Sequence, residues 1–249
     1  MKINIKGRYL NTNHIWFEEY FEKSPRVRGD VCFIHGNPIE LKEGTSQKQL
    51  SLISDLSGGL ESINLAKTVK QEINRSIKEN VQVSFFTSED LLNNKEILEE
   101  FSGSYHDMYQ SKGMENIFLN MKEIYGYIKA NAFLLSVAYL ENTPMVFHSY
   151  VCDDCCVRLL HSCSTFREGD QNMRNAVGRA NKYLHWRDME YFYGKGMFHY
   201  DWGGITSYEE PNGIDKFKIA FGGTPVEYYN IRVLQSLKAK VLYKLMKKS

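Results

Sequence analysis

The chain has 249 residues, enough for one large domain or a domain with a sizeable extension, and 43% apolar residues, enough for a packed core. Its 31 basic residues nearly balance its 30 acidic ones, so the overall charge does not attract nucleic acid, and a tRNA partner would need a local basic patch. The first residues lack the apolar core of a secretory signal, and no window approaches the roughly 18 uninterrupted apolar residues of a membrane helix. We therefore expect a cytoplasmic protein without a membrane span.

The five cysteines are expected to be free thiols. Four of them, Cys152, Cys155, Cys156 and Cys163, crowd into a predicted hairpin. An odd count with this clustering suits a reducing compartment better than a disulfide framework. Cys155 and Cys156 cannot face one way on a strand, and no second Cys-x-x-Cys or paired-histidine element completes a four-ligand site, so we expect no bound metal.

The first 80 residues predict a small α/β segment. Residues 2–10 and 31–36 read as strands, and residues 14–23 as a short helix. Residues 48–80 read as helical, with a break at Gly58 and an apolar face in the second half. The side chains expected inside are Ile15, Trp16, Phe17 or Tyr20, and, beyond the break, Leu60, Ile63, Leu65, Val69, Ile73 and Ile77.

From residue 81 the pattern predicts the order β, α, α, β, β, β, α, β, α, β. A strand at 81–87 precedes a helix at 88–101, with Thr87 or Ser88 as its N-cap before two acidic residues. A loop bearing glycine and serine then leads to a second helix at 114–129.

Three antiparallel strands follow within residues 131–166, because turn residues at 142–144 and 153–154 separate stretches rich in Val, Phe, Tyr and Leu. From Val177 apolar residues recur at helical spacing over about five turns, and Gly194 ends that helix.

The remaining elements are short. A strand is predicted within 197–204, a helix within 211–221 after a Pro-Asn-Gly turn, and a strand within 222–229. Residues 233–248 form a final basic helix, whose lysines we interpret as a solvated face.

Three blocks in this region carry a family resemblance: GRANKYLHW at 178–186, YDWGGI at 200–205 and GIDKFKIAFGGTPVEYY at 213–229. In this order they resemble the closing half of the Fem-type acyltransferases, a branch of the GNAT superfamily that moves an acyl or aminoacyl group onto an amine. The resemblance covers roughly residues 81–231. It implies a mixed α/β sheet of the GNAT fold, with residues 1–80 as an N-terminal α/β extension and acceptor platform and residues 232–249 as the basic helix.

The resemblance also implies a site for the pyrophosphate of coenzyme A. In GNAT proteins a Gln/Arg-x-x-Gly-x-Gly/Ala loop binds it through main-chain N–H groups at the start of the helix after the fourth strand. Residues 175–180 resemble that loop, except that Asn stands first, and Gly178 and Ala180 could instead serve close helix packing. The implied cofactor-binding residues are Arg167, Arg174, Asn175, Gly178, Arg179 and Ala180.

Implied catalytic residues follow from the same resemblance. Phe217-Lys218 resembles the Phe-Lys pair of Fem-type enzymes, whose ammonium would stabilise the oxyanion of the tetrahedral intermediate; the alternative is a solvated lysine. Asp201 could accept a proton or orient the substrate ammonium, or it could brace a loop, and Tyr183 could protonate the departing thiolate.

Three histidines and one tryptophan complete the candidates. His148 and His161 could act as bases, since imidazole titrates in the useful range, although a hydrogen-bonded core histidine is the ordinary alternative. His199 and Trp202, together with Phe217, are the candidate substrate-binding residues.

The sequence therefore predicts an acyl-CoA-dependent N-acyltransferase that acts on a primary amine, specifically the amino group of a nucleotide-linked amino sugar for surface polysaccharides. One GNAT unit with a short extension leaves no room for a second unit and a tRNA arm, so the first alternative, aminoacyl-tRNA-dependent transfer to a peptidoglycan precursor, is disfavoured. The second alternative is a GNAT-like domain that binds a ligand without turnover. A homodimer remains an option.

Overall fold

The computed structural model describes residues 1–18, 20–165 and 170–246. The strands, in chain order, are β1 (Lys2–Ile5), β2 (Thr12–Ile15), β3 (Val31–Asn37), β4 (Thr45–Asp55), β5 (Gln82–Thr87), β6 (Phe133–Leu140), β7 (Thr143–Cys152), β8 (Cys156–Ser164), β9 (His199–Asp201) and β10 (Thr224–Leu234). The helices are α1 (Lys67–Lys78), α2 (Ser88–Asn93), α3 (Glu96–Gln110), α4 (Met121–Lys129), α5 (Gln171–Gly194), α6 (Gly213–Ile219) and α7 (Leu237–Met246).

The chain divides into two compact units. The first comprises Met1–Ser51 with Pro225–Ser249, and the second Leu52–Thr224. These units differ from the division at residues 80 and 231 that the sequence suggested, because α1 packs on α5 of the second unit and β10 pairs with β3 of the first.

The first unit is built on strands in the order β1-β2-β3-β10-β4. β1 and β2 are antiparallel, β2 and β3 are parallel, and β10 runs antiparallel to β3. One face of this sheet carries an apolar cluster that includes Ile15, Cys32, Ile34 and Ile231. This unit therefore has a core of its own.

Two helix predictions near the N-terminus are wrong. His14 and Ile15 end β2, the described residues among 16–23 belong to no helix, and Phe17 has a positive φ of 56°. Ile15 and Trp16 are buried as expected, whereas Tyr20 is exposed. The residues before Gly58 belong to the strand β4 instead of a helix, because pairing to β9 outweighs their local helical preference.

The second unit orders its strands β4-β9-β8-β7-β6-β5. β5 to β8 form an antiparallel meander, and β9 returns parallel to β8 after the long helix α5. α5 packs on β6 and β7, and α3 packs on β8. The three predicted strands of the meander are confirmed, up to residue 165, since Phe166 lies outside the described residues.

The sequence predicted the start of α2 correctly, but the element bounds after it differ from the prediction. Thr87 caps α2 in a capping box with Asp90, as predicted. The single helix predicted at 88–101 is two, and α3 runs on through the predicted loop to Gln110. The predicted turn at 142–144 lies one residue earlier, because Glu141 and Asn142 both take positive φ while Pro144 pairs with Tyr139 in the ladder. Nowhere in the described ranges is a helix both long and apolar enough to cross a bilayer.

Candidate active site

The parallel strands β8 and β9 pair over a short distance only. The paired residues are Cys156 to Arg158 on β8 and His199 to Asp201 on β9, while β8 continues to Ser164. Gly203 has a φ of 77°, and a Cβ at this position would lie 2.3 Å from the carbonyl oxygen of Leu159. Only glycine leaves room for the backbone of residue 203 to lie this close to the Leu159 carbonyl of β8, and after this contact the chain leaves the sheet.

A bulge in β8 adjoins this point. Ser149 of β7 pairs with His161 and Tyr150 pairs with Leu159, so Leu160 has no cross-strand partner in this ladder. A bulge bends its strand and re-aims neighbouring side chains. The sheet therefore opens where β9 ends, between the fourth and fifth strands counted from β5.

Lys218 of α6 lies at this opening. Its Nζ donates hydrogen bonds to the carbonyl oxygens of Trp202, at 2.7 Å, and Gly204, at 2.6 Å. Burial lowers the pKa of Lys218 to about 8, and the nearby Asp201 carboxylate opposes this shift. Because an ammonium has three N–H donors, one of them remains for a ligand.

The position of α6 is fixed by its own N-terminal residues. Asn212 caps the helix and forms a capping box with Asp215. The buried Asp215 carboxylate also accepts hydrogen bonds from the main-chain N–H groups of Thr206, at 2.9 Å, and Ser207, at 3.3 Å. These bonds connect the loop after β9 to α6, the helix that carries Lys218. The position of the ammonium is therefore fixed both by its own helix and by the loop whose carbonyls it contacts.

Asp201 is engaged in structural contacts. Its Oδ2 accepts a hydrogen bond from Nη1 of Arg158 at 3.1 Å, and its Oδ1 accepts one from the N–H of Gly203 at 2.8 Å. The side chain is nearly buried. The geometry thus fits a carboxylate that braces the loop after β9, close enough to Lys218 to act on its charge.

The aromatic candidates differ in accessibility. Trp202 is fully buried, and its Nε1 donates to Oγ of Ser54 at 3.0 Å, so its ring is not exposed to a ligand in this conformation. Phe217 is partly exposed, with the Nζ of Lys182 5.3 Å from its ring centroid. His199 is exposed at the start of β9.

A buried polar network lies beside this site, and sequence reasoning found only one of its members. His148 Nδ1 lies 2.7 Å from Asp188 Oδ2, which also accepts a hydrogen bond from Tyr150 Oη at 2.6 Å. Tyr150 Oη is 2.7 Å from Tyr200 Oη, and Tyr200 Oη is 3.0 Å from His185 Nδ1. The chain of contacts therefore runs from α5 through β7 to β9.

Burial sets the ionisation of this network. It lowers the pKa of His185 well below its usual value and raises the pKa of Tyr150 and Tyr200 well above theirs, with the Asp188 charge adding to the shift of both tyrosines. His185 is therefore a neutral imidazole at neutral pH. Its ring contacts Trp202 and Phe217, with centroids 4.7 and 5.5 Å away.

A usable signal for the missed residues exists in the sequence. Asn181, His185 and Asp188 recur at intervals of four and three, so they share one face of α5, and Asn181 Oδ1 also lies 2.8 Å from His148 Nε2. A polar stripe on an otherwise apolar helix face indicates buried hydrogen-bond partners.

His161 lies on the opposite side of the sheet from this network. His148 and Tyr150 face α5, whereas Ser149 faces the other way, and its Oγ is 2.8 Å from His161 Nδ1. The His161 ring contacts Tyr105 of α3, and burial lowers its pKa to about 4. The structure does not bring His161 together with Lys218.

Tyr183 also lies apart from the network. Its Oη accepts a hydrogen bond from Nη1 of Arg187, one turn along α5, at 3.4 Å. Helical periodicity places Tyr183 on a different side of α5 from Asn181 and His185. The role of Tyr183 toward a leaving thiolate stays a prediction.

The predicted coenzyme A loop is not at a helix start. α5 begins at Gln171, so Gly178 and Ala180 lie in its third turn, and their N–H groups face along the helix instead of toward a ligand. The helix start was predicted too late because the apolar spacing was counted only from Val177, although Met173 lies one helical turn before it.

The implied arginines have separate roles. Arg179 Nε and Nη2 donate to both carboxylate oxygens of Glu79, at 3.0 and 2.8 Å, which ties α5 to the end of α1. Arg174 and Asn175 are exposed in the first turns, where each hydrogen-bonds with Gln171. Arg167 lies outside the described residues.

Two groups of potential metal ligands come together, each within 4.8 Å among the described residues. The first comprises His148, His185 and Asp188, and both ring nitrogens of His148 already have partners, Asp188 Oδ2 at 2.7 Å and Asn181 Oδ1 at 2.8 Å. The second comprises Asp153, Cys155 and Cys156. Burial raises the pKa of the Cys156 thiol to about 12, which disfavours the thiolate that a metal requires.

The element order, the parallel β8–β9 pair joined by α5 and the opening beyond it define a GNAT-like fold, as the sequence predicted. No protein-family profile matches the chain, and no curated protein matches it in sequence. Solved structures do resemble it.

Three of these structures share the fold over most of the chain. FemX is 13% identical, with a TM-score of 0.55 over 83% of this chain and 67% of that one. The structure of L-PGS from Bacillus licheniformis is 12% identical, with a TM-score of 0.52 over 88% and 72%. The C-terminal domain (DUF2156) attributed to a lysylphosphatidylglycerol synthetase of Agrobacterium fabrum is 10% identical, with a TM-score of 0.55 over 87% and 72%. At such identities the similarity defines the fold alone.

Proposed function

We propose that this protein is an N-acyltransferase that moves an acyl group from a thioester carrier to a primary amine. The observation that carries the proposal is the Lys218 ammonium, which two main-chain carbonyls hold at the opening beyond β9. A fixed cation in a partly dry site stabilises a developing oxyanion far more than a mobile surface lysine would.

The chemistry assigned to Lys218 is electrostatic. The neutral amine attacks the thioester carbonyl, the C–N bond forms, and the oxyanion of the tetrahedral intermediate accepts a hydrogen bond from the third N–H of Lys218. Collapse of the intermediate re-forms the carbonyl and breaks the C–S bond, and the thiolate leaves as the thiol after taking up the proton that the amine has lost. Since the pKa of Lys218 is lowered to about 8, the ammonium form prevails at neutral pH.

A proton must leave the attacking amine. Asp201 influences the charge of Lys218 and so lies near the reacting atoms, but Arg158 and Gly203 already occupy its oxygens. His185 is 2% exposed and burial lowers its pKa well below its usual value, so it reaches no substrate amine and is a weak base. We propose Asp201, beside Lys218, as the group that accepts the proton, and we interpret His185, Tyr200, Tyr150 and Asp188 as a buried network that positions β9.

We further propose acyl-coenzyme A as the donor. The N-terminal turn of α5 supports this, because the amides of Gln171 and Asn172 and the exposed Arg174 meet there. The Asp170 carboxylate caps the same turn by accepting from the N–H of Met173 at 2.8 Å, so a pyrophosphate would lie beside it on the first two amides. Arg174, and not Gly178, is then the residue to test.

The acceptor we propose is a nucleotide-linked amino sugar. A cleft of about 240 Å³ in the first unit supports a nucleotide, since it combines the Phe33 and His35 rings with the Gln47 amide and the Arg232 guanidinium, while the Asn230 amide in its wall bonds to Gly36 and Gln49. Flat rings stack on a base, amides match its edge and a guanidinium matches phosphate.

The names FemX and lysylphosphatidylglycerol synthetase keep aminoacyl transfer as the second candidate. The observation that favours it is the Asp170 carboxylate at the start of α5, because its negative charge opposes binding of the coenzyme A pyrophosphate there. Thiol release from acetyl-coenzyme A, measured with and without a uridine-diphosphate-linked amino sugar, tests the first proposal. Acceptor-dependent release is expected. Release only with charged tRNA would favour the second candidate, and binding without any release would leave a non-catalytic domain.

A further inference from the structure

A second cleft, of about 310 Å³, opens within the second unit between α1, the short 3-10 helix Leu60–Ser62 before it and α5. Its wall is aliphatic and aromatic: Leu60, Ile63, Leu65, Ile73 and Trp186. Such a wall suits a small branched hydrocarbon group, and the volume is that of an amino-acid-sized ligand.

The rim of this cleft carries both signs of charge. Glu61 and Lys70 line it together with the amide of Asn74. Among the described residues these three side chains have no hydrogen-bond or ion-pair partner, so their polar atoms are available to a ligand. A carboxylate and an ammonium at one rim select a ligand that also carries both charges.

The cleft adjoins the helix that carries Lys218. The N–H of Ala66, in the loop after the 3-10 helix, donates to the carbonyl oxygen of Ala220 at 2.8 Å. Trp186 follows His185 directly on α5, and Lys182, one turn earlier, lies over the Phe217 ring. A ligand in this cleft is therefore next to α6.

From this lining we propose that the cleft binds an aliphatic α-amino acid as its zwitterion. The side chain of the ligand packs on the Ile63, Ile73 and Trp186 wall, its ammonium pairs with Glu61 and its carboxylate with Lys70. The inference concerns binding alone and does not depend on acyl transfer.

Tryptophan fluorescence of the full chain tests this inference. The protein has three tryptophans, of which Trp16 and Trp202 are 4% and 0% exposed, so a ligand effect reports mainly on Trp186. Saturable titration by L-leucine is expected, at least about tenfold tighter than by glycine, isoamylamine or 4-methylvalerate, because each of these lacks one of the three contacts.

Variants separate the charges from general effects. Glu61→Gln and Lys70→Gln are each expected to weaken leucine binding about tenfold, whereas Lys67→Gln, on the exposed side of α1, leaves it unchanged. Circular dichroism checks that the variants fold. Calorimetric titration of Trp186→Phe, expected to bind leucine within a few-fold, excludes an artefact of the reporter.

Two results would overturn the inference: no saturable leucine effect, or equal affinity of the parent and both rim variants. Isoamylamine binding as tightly as leucine would also reject the zwitterion. Lys218→Ala separates this question from the proposed function, since it should lower the rate of thiol release about 100- to 1,000-fold and leave leucine binding intact.

Discussion

His148 Nδ1 and Asp188 Oδ2 lie 2.7 Å apart, and neither side chain reaches solvent. Asp188 Oδ2 also accepts the hydrogen bond of Tyr150, so one carboxylate oxygen joins β7 to α5 through two partners. Removing Asp188 would leave the Nδ1 of His148 without this partner in a buried, low-dielectric site and would take one hydrogen bond from Tyr150.

Asp188→Ala should therefore lower the free energy of unfolding by about 3 kcal/mol or more. Urea denaturation monitored by circular dichroism measures this change. Glu190→Gln, which breaks only the exposed pair with Arg187 at 3.0 Å, is the matched control and should cost less than about 1 kcal/mol. Equal, small effects of both changes would show that the buried pair is not formed in solution.

Backbone space at the opening of the sheet predicts the effect of Gly203→Ala. The new Cβ would meet the Leu159 carbonyl at 2.3 Å, whereas Gly196, with a similar φ of 80°, has nothing within 4 Å of its Cβ position. Gly203→Ala should cost at least about 2 kcal/mol more than Gly196→Ala, which carries only the φ penalty. Thermal unfolding of both variants gives the comparison, and similar melting temperatures would contradict the close approach.

His161 should contribute to the loss of the free energy of unfolding as the pH falls from 6.5 to 4. Its folded pKa of about 4 lies below its ordinary value of 6.5, so the unfolded chain binds the proton first as the pH falls. This group's contribution is constant above pH 6.5 and declines toward pH 4, by on the order of 3 kcal/mol in total. His161→Gln should flatten the urea midpoint across this range, and an unchanged slope would place His161 in a wetter site.

Substitutions of Arg179 and Arg174 should affect different properties: Arg179 stability, and Arg174 affinity for coenzyme A. Arg179→Gln breaks both hydrogen bonds to Glu79 and should destabilise the protein by about 1–3 kcal/mol while leaving coenzyme A affinity unchanged. Arg174→Gln, on the exposed first turn of α5, should do the reverse. Calorimetric titration with coenzyme A measures both, and a loss of affinity in Arg179→Gln alone would restore the loop predicted from the sequence.

The sequence predicted the elements that short-range patterns determine and missed those that depend on distant strands. The meander β6 to β8 and the Thr87 cap depend on alternation and short-range hydrogen bonds, so sequence alone predicted them. β4 was misread as a helix because its strand character comes from pairing with β9, which is far away in the chain.

The candidate site divided in the same way. Lys218 was predicted as a catalytic residue from its neighbouring motif and stays a prediction, and the structure adds the two carbonyls that hold its ammonium. His185 and Asp188 were missed because a histidine and an aspartate on a helix read as surface residues until Tyr200 and Tyr150, on distant strands, are brought against them. Trp202 was predicted as a substrate-binding residue, and the sequence did not show its burial because that depends on the pairing of β9 with β4.

The charge of Lys218 is the central claim, and the pH dependence of turnover in acyl-coenzyme A thiol release tests it most directly. With the pKa at about 8, kcat should fall as the pH rises through 8, and in Lys218→Arg this descending limb should move to higher pH because a guanidinium keeps its charge. Lys218→Ala should lower kcat about 100- to 1,000-fold while the acceptor KM changes little. A Lys218→Ala variant with the parental kcat, or a parental kcat that rises through pH 8, would contradict the account.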